Sequence, residues 1–378
     1  MSKKIPLRNN KHIDEFIVTP ENIINKSILL YGASGSGKGS IIKNILYTLK
    51  DKIDQVIFVS ATECVDEDFK GIIPRCCVHS KLYMADPTGT KKKEKPVDAS
   101  RRFLEYLIER QEMLTSVHKR ATHIDNLRAL YKKIDRELIK ECDIILSKFH
   151  MLKKHVKRDI ERDRRIPPDK KVDMYSKLDV KTEDYEKSLL RKYLLKDNEH
   201  LHKKMRRGEL SEDEKITLEY KEVNPNLLLI FDDYAAELKP LLKIEEIRKL
   251  FYQGRHFSTT IILTCQDDTD LDANLRKQAY LNFFTTPQVA FSNFDRGANR
   301  HSKELQEAAK EAICEVYKEK HRKLIFQRDP EKFFHYKAIV PLPKFRFGSD
   351  ALWELCKIVE DDGKTLNKMN KYYDKFIL

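Results

Sequence analysis

The sequence predicts an α/β fold: a mainly parallel sheet flanked by helices, enlarged by a long charged helical insertion. Three observations predict it. Short apolar runs recur at SILLY (27–31), QVIFVS (55–60), LLLIF (227–231) and TTIILT (259–264). Runs of that kind mark strands buried on both faces. A helical pattern, IIKNILYTL (41–49), lies between the first two, giving the strand, loop, helix, strand order of a parallel sheet. From about Val117 to Tyr220 the character changes to dense Lys, Arg, Glu and Asp, with Leu, Ile and Tyr at helical intervals. The expected organisation is therefore 1–116 as the first part of the core, 117–222 as the insertion, and 223–378 as the rest of the core.

Each later element has its own signal. Pro167-Pro168 breaks the charged zone, so long helices are expected before it and at least one after it. LNFFTT (281–286) reads as a further strand. RKLIFQRD (322–329) and FFHYKAIV (333–340) are expected to pair through a turn containing Pro330. The polar stretch at 302–320 and ALWELCKIVE (351–360), with the only tryptophan, read as helices.

Residues 32–40, GASGSGKGS, follow the first strand and open the first helix. Gly32, Ala33, Ser34, Gly35, Ser36, Gly37 and Lys38 match the phosphate-binding pattern G-x-x-x-x-G-K. Glycines there let backbone N–H groups turn inward around a phosphate, and the lysine adds a point charge. The helix that follows presents its positive end to the same ligand. Gly39 departs from the pattern, because a Ser or Thr hydroxyl at that position ligates Mg²⁺. Ser40 is the next hydroxyl, turned about 100° away on a helix. ATP binding is expected to survive, with weakened Mg²⁺ affinity.

The acidic half of such a site is expected after LLLIF. Asp232 is the natural Mg²⁺ ligand, and Asp233 is placed to orient or deprotonate the attacking water. Gln266, at the end of the TTIILT strand, offers an amide to the γ-phosphate or the water. Arg255, in QGRHF, is a candidate for stabilising transition-state charge, in its own or a neighbouring subunit's site; Arg276, Arg296 and Arg300 compete with it.

The GASGSGK loop, IFDD, GRH and the IILTCQ strand, in that order, resemble the genome-packaging ATPases of poxviruses and related large DNA viruses, within the FtsK–HerA superfamily. The resemblance covers about residues 27–80 and 226–300. It implies a RecA-like P-loop NTPase core, with the Asp232 strand neighbouring the phosphate-loop strand. It further implies a ring, hexamer or pentamer, that pumps double-stranded DNA into a capsid, with capsid components as partners. Lys38 would be the phosphate-loop lysine, Asp232 the metal ligand, Asp233 the catalytic acid and Gln266 the polar sensor. The implied setting is the viral factory in the host cytoplasm, or the virion.

Composition agrees without adding specificity. The formal net charge is +13 and 35% of residues are charged, a balance that favours anionic partners. KKHVKR (153–158), RDRR (162–165) and HKKMRR (202–207) could each meet several phosphates, although charge runs are also ordinary solvated helix faces. MSKKIPLRNNKHIDEF has no apolar segment, so no signal peptide is expected, and no run of about 20 apolar residues suggests a membrane span. Cys64, Cys76, Cys77 and His79 cluster in sequence, but their spacing fits no standard zinc site, and buried or free thiols in a reducing compartment are expected. Two other functions fit the motifs: an ATP-binding scaffold with little hydrolysis, which Gly39 favours, and a small-substrate kinase.

Overall fold

A computed structural model describes residues 4–7, 12–60, 68–82, 96–122, 128, 131–132, 134, 136–163, 165–209, 211, 224–241 and 244–361. The chain divides into two compact units, Met1–Glu112 with Asn224–Leu378, and Met113–Val223.

Among the described residues the first unit has ten strands: β1 (Ile5–Pro6), β2 (His12–Glu15), β3 (Ser27–Tyr31), β4 (Gln55–Ser60), β5 (Val78–His79), β6 (Leu227–Asp232), β7 (Thr259–Cys265), β8 (Leu281–Phe284), β9 (Lys323–Arg328) and β10 (Glu331–Tyr336). Their order across the sheet is β1-β2-β10-β9-β8-β3-β7-β6-β4-β5. The six strands from β8 to β5 run parallel. Strand β9 pairs antiparallel with β8, and β10 antiparallel with β9 through the turn at Pro330. Leu227 to Phe231 are fully buried, as are Ile28 to Tyr31, because helices cover both faces of a parallel sheet.

One implied neighbour is corrected. The Asp232 strand does not lie beside the phosphate-loop strand: β7 pairs with β3 on one side and β6 on the other. The chain places TTIILTC between the two because its seven residues, buried throughout, have the apolar faces a central strand needs. Parallel direction then brings Gly32, Asp232 and Gln266, which end or follow β3, β6 and β7, to the same edge of the sheet.

The second unit is helical. Helices Arg136–Arg162 and Pro168–Arg207 pack on each other around Cys142, Leu189, Leu190 and Tyr193. Glu186 accepts two hydrogen bonds from the Arg128 guanidinium, at 2.7 and 3.0 Å. Lys153 and Lys157 both pair with Asp179, at 2.8 and 2.9 Å, and Arg165 pairs with Asp163. Part of the basic clusters is thus answered within the unit. Most side chains of HKKMRR lie outside the described residues.

Among the described residues no group of three or more His, Cys, Asp or Glu is arranged to hold a metal. Cys76 and Cys77 are buried thiols, and Cys64 lies outside the described residues. No helix among the described residues is long and apolar enough to cross a membrane.

His301 makes the core sensitive to acid. Its ring lies 4.9 Å from that of Phe294 and 6.0 Å from that of Phe326, and its Nε2 has no hydrogen-bond partner. Burial, with the nearby charges of Arg328 and Lys277, lowers its pKa to about 4. The unfolded chain would protonate it near pH 6.5, so the unfolded state binds more protons between there and pH 4. Stability is therefore expected to fall, by roughly 1–2 kcal/mol through this residue, from pH 7 to pH 5. Urea unfolding at both pH values checks this, and His301→Phe should flatten that part of the profile.

Candidate nucleotide site

The phosphate loop turns between β3 and the helix Lys38–Leu49, hereafter the loop helix. Gly32 begins the turn with φ near +151°, and a Cβ there would collide with the Thr285 hydroxyl. Gly37 caps the helix in a left-handed conformation at φ +100°. The crest, Ala33 to Gly35, is exposed. The Gly32 N–H donates to the Cys265 carbonyl at 3.0 Å, locking the loop entrance to the end of β7.

Lys38 is buried at the first helical position. Its ammonium donates to the carbonyls of Gly32 (2.7 Å) and Ala33 (3.1 Å), and lies 3.7 Å from Asp233 Oδ1. The glycine loop and the carboxylates after Phe231 therefore meet, although Lys38 and Asp232 are 194 positions apart in sequence. The two acids are joined by a residue the motifs did not single out. The buried Thr264 hydroxyl donates to Asp232 Oδ1 at 2.9 Å and accepts from the Asp233 N–H at 2.9 Å. Burial raises the Asp232 pKa, and the neighbouring Asp233 charge adds to that rise, against the lowering effects of the Thr264 hydrogen bond and Lys38. Asp233 adopts φ +46°, a left-handed conformation that Asp tolerates better than most residues. Its Oδ1 is buried and has no hydrogen-bond partner.

That orphaned oxygen is the observation that tests whether Mg²⁺ and a triphosphate fit here. A buried carboxylate oxygen without a donor is costly unless a ligand, water or ion completes it. Asp232 and Asp233 present oxygens of the hard kind that Mg²⁺ takes. At Gly39 a Cβ would meet nothing within 4 Å, so a Thr or Ser side chain has room. Ser40 is partly buried on the third helical residue, and its carbonyl accepts from Asn44 Nδ2 at 2.8 Å.

Gln266 follows β7 on the same edge, exposed, with its N–H bonded to Asp270 Oδ2 at 3.0 Å. Arg255 is not brought to this edge. It sits in the turn Gly254–Phe257 before β7, exposed, with Nε 3.4 Å from His256 Nε2. Seven strand residues separate the two ends of β7, roughly 23 Å at the usual rise. Arg255 therefore does not reach this chain's own Lys38, and a role in a neighbouring copy's site is the form of the expectation left. Two of its competitors are engaged elsewhere. Arg276 is buried on Asn299 and the carbonyls of Asp268 and Leu271, and Arg296 pairs with Asp268 at 2.8 Å. Arg300 is exposed.

Lys323, at the start of β9, is a second lysine at the loop. Its ammonium donates to the carbonyls of Ser36 (2.8 Å) and Thr285 (2.9 Å), and burial lowers its pKa. The Thr285 hydroxyl sits between the Tyr31 carbonyl (2.9 Å) and the Ser36 hydroxyl (2.7 Å). Sequence carries no local signal for Thr264, Thr285 or Lys323, since each acts through pairing register with a distant segment.

Two substitutions probe the metal half. Thr264→Val keeps the shape and removes the hydroxyl, so it should cost about 1–3 kcal/mol of stability and weaken Mg²⁺ binding. Gly39→Thr should fit without loss of stability and tighten Mg²⁺ binding. Thermal unfolding and Mg²⁺ titration by calorimetry measure both; an unchanged Mg²⁺ affinity in Gly39→Thr would mean that the missing hydroxyl does not matter.

No family model matches the chain. Among solved structures it is similar to the genome packaging NTPase B204 of Sulfolobus turreted icosahedral virus 2 in complex with ATP-γS (14% identity, TM-score 0.36), over 84% of this chain and 99% of that one. It is also similar to the plasmid coupling protein TrwB with a non-hydrolysable GTP analogue (13% identity, TM-score 0.35), over 92% and 98%. Among curated sequences it is 37% identical over 372 residues to protein B354L of African swine fever virus, from the Kenya 1950 pig isolate and from the Badajoz 1971 strain. Each match covers 98% of both chains. The chain belongs to the B354L family of African swine fever virus proteins.

Proposed function

We propose that this protein is an ATPase that moves double-stranded DNA, packaging a viral genome as a ring of copies of itself. The observation that carries the nucleotide half is the meeting of Lys38 with Asp233 at 3.7 Å, beside Asp232 and its Thr264 hydrogen bond. Backbone N–H groups opening the loop helix would hold the β- and γ-phosphates. Lys38 would exchange the carbonyls of Gly32 and Ala33 for phosphate oxygens. Asp232 would hold Mg²⁺ directly or through water, and bound Mg²⁺ would supply neutralisation of charge between the phosphates. Asp233 Oδ1 would orient or deprotonate the attacking water, with the Gln266 amide fixing it from β7.

The DNA half rests on the family resemblance of GASGSGK, IFDD, GRH and IILTCQ, and on the +13 charge. A motor that grips phosphates without reading bases needs electrostatic, salt-sensitive contacts. Arg255, exposed at the far end of β7, suits a contact with a neighbouring subunit's nucleotide. Capsid components would recruit the ring in the viral factory or virion. Gly39 favours a second reading, a nucleotide-holding scaffold with scarcely any turnover.

ATP turnover of the full chain with and without double-stranded DNA separates the two. The expected result is stimulation by DNA, falling with added salt and abolished by Lys38→Ala. In Arg255→Ala, turnover should fall about 100-fold or more while nucleotide binding persists. Measurable turnover that DNA leaves unaltered would remove the translocase reading, and binding without turnover would support the scaffold.

A further inference from the structure

Immediately after β7 the chain makes one turn, Gln266 to Leu271, before the helix Ala273–Gln278. Gln266 follows Cys265, whose carbonyl holds the Gly32 N–H, so the turn starts beside the glycine loop. The backbone of the turn is tied from both ends. Asp270 Oδ2 accepts from the N–H groups of Gln266 (3.0 Å) and Asp267 (3.1 Å), and Asp267 Oδ1 accepts from that of Thr269 (3.0 Å). The buried Arg276 guanidinium donates to the carbonyls of Asp268 and Leu271.

The centre of the turn is plugged into the core by a carboxylate. Asp268 is 0% exposed, although Gln266 and Thr269 on either side of it are exposed. Its Oδ2 accepts from Arg296 Nε at 2.8 Å and from Asn299 Nδ2 at 3.2 Å. Arg276 closes the circle by donating to Asn299 Oδ1 at 3.0 Å. Arg296, partly exposed, also lies 3.5 Å from Asp267 Oδ1. Asp268 Oδ1 has no hydrogen-bond partner. As a source of stability this is a poor arrangement. A buried ion pair rarely outperforms apolar side chains of similar volume, and an unfilled buried oxygen adds its own cost. What the arrangement supplies is direction. Apolar contacts are non-directional, so a leucine would fill the space without orienting the turn. Two donors, 28 and 31 positions along the chain, meet at one Asp268 oxygen and orient it.

We propose that Asp268 is a positioning residue for ATP turnover: held by Arg296 and Asn299, it fixes the turn after β7 and so acts on the chemical step through Gln266. The inference rests on reading Gln266 as the amide that meets the γ-phosphate or the attacking water. Asp268 touches neither the glycine loop's lysine nor the two acids, and its whole route to the nucleotide runs through the backbone of three residues, Gln266 to Asp268. Small displacements of a group that orients a reacting atom are costly in rate. Nucleotide binding rests on the loop and Lys38 instead. The expected signature of a disturbed turn is therefore a lower kcat with affinity retained.

Steady-state ATP turnover of the full chain with double-stranded DNA, together with AMPPNP titration, tests this. Gln266→Ala should lower kcat about 100-fold. Asp268→Asn keeps the shape and removes the charge that pairs with Arg296. It should lower kcat about tenfold, with KM and AMPPNP affinity within about twofold of the native chain. Arg296→Ala cuts the same link from its solvent side and should repeat that split, which keeps the test open if Asp268→Asn fails to fold. The double variant Gln266→Ala, Asp268→Asn should be no slower than Gln266→Ala alone, because one residue acts through the other. A merely structural aspartate would instead multiply its loss with that of Gln266→Ala, and that result overturns the proposal. So does a folded Asp268→Asn or Arg296→Ala chain whose kcat is unchanged. If the native chain shows no turnover, or Gln266→Ala leaves it unaltered, the reading of Gln266 fails first and takes this inference with it.

Discussion

The candidate site depends on one convergence: the Lys38 ammonium, buried at the start of a helix, stands within 3.7 Å of a carboxylate that enters from two strands away. Neither group is well placed alone. A buried ammonium needs acceptors, and here the carbonyls of Gly32 and Ala33 supply them. A buried carboxylate needs donors, and for Asp232 the Thr264 hydroxyl supplies one. The strand between them, β7, holds the two halves at fixed spacing: its Thr264 serves the acids and its Cys265 carbonyl anchors Gly32. Parallel pairing is what makes that spacing possible, since it delivers three strand ends to one edge.

Much of this could be read from the letters because the information is local. The glycines and Lys38 occupy seven consecutive positions, and Asp232 and Asp233 end a run whose apolar character needs no partner to recognise. The central strands and the hairpin around Pro330 were legible for the same reason. The strand order was not. Placing β7 between β3 and β6 is a choice among pairings that similar apolar runs leave open, and the hydrogen-bond register settles it. Thr264 shows the cost: as one of several threonines in a β-rich run it looks like ordinary strand material. Arg255 illustrates the reverse. It precedes the strand that Gln266 follows, and those seven residues carry the two to opposite ends.

The charged unit is also plainer than its composition. Its clusters read as phosphate contacts when taken as letters, but Asp179 holds Lys153 and Lys157 together, and Asp163 takes Arg165. Exposed pairs of this kind add little stability each. Their effect is to lower the charge that such a helix shows to a distant anion, so the number of basic letters by itself overstates what those runs offer DNA.

Lys323 has a consequence for how the nucleotide loop is encoded. Its single ammonium ties Ser36, 287 positions away in sequence, to Thr285, 38 positions away, so three stretches share one knot. A fragment ending before β9 would contain every letter of the glycine motif, both acids and the strand between them. It would still lack the fastener that holds the Ser36 carbonyl in place. The shape of the glycine loop is, in that sense, a property of the whole folded core rather than of the short signature by which it is found.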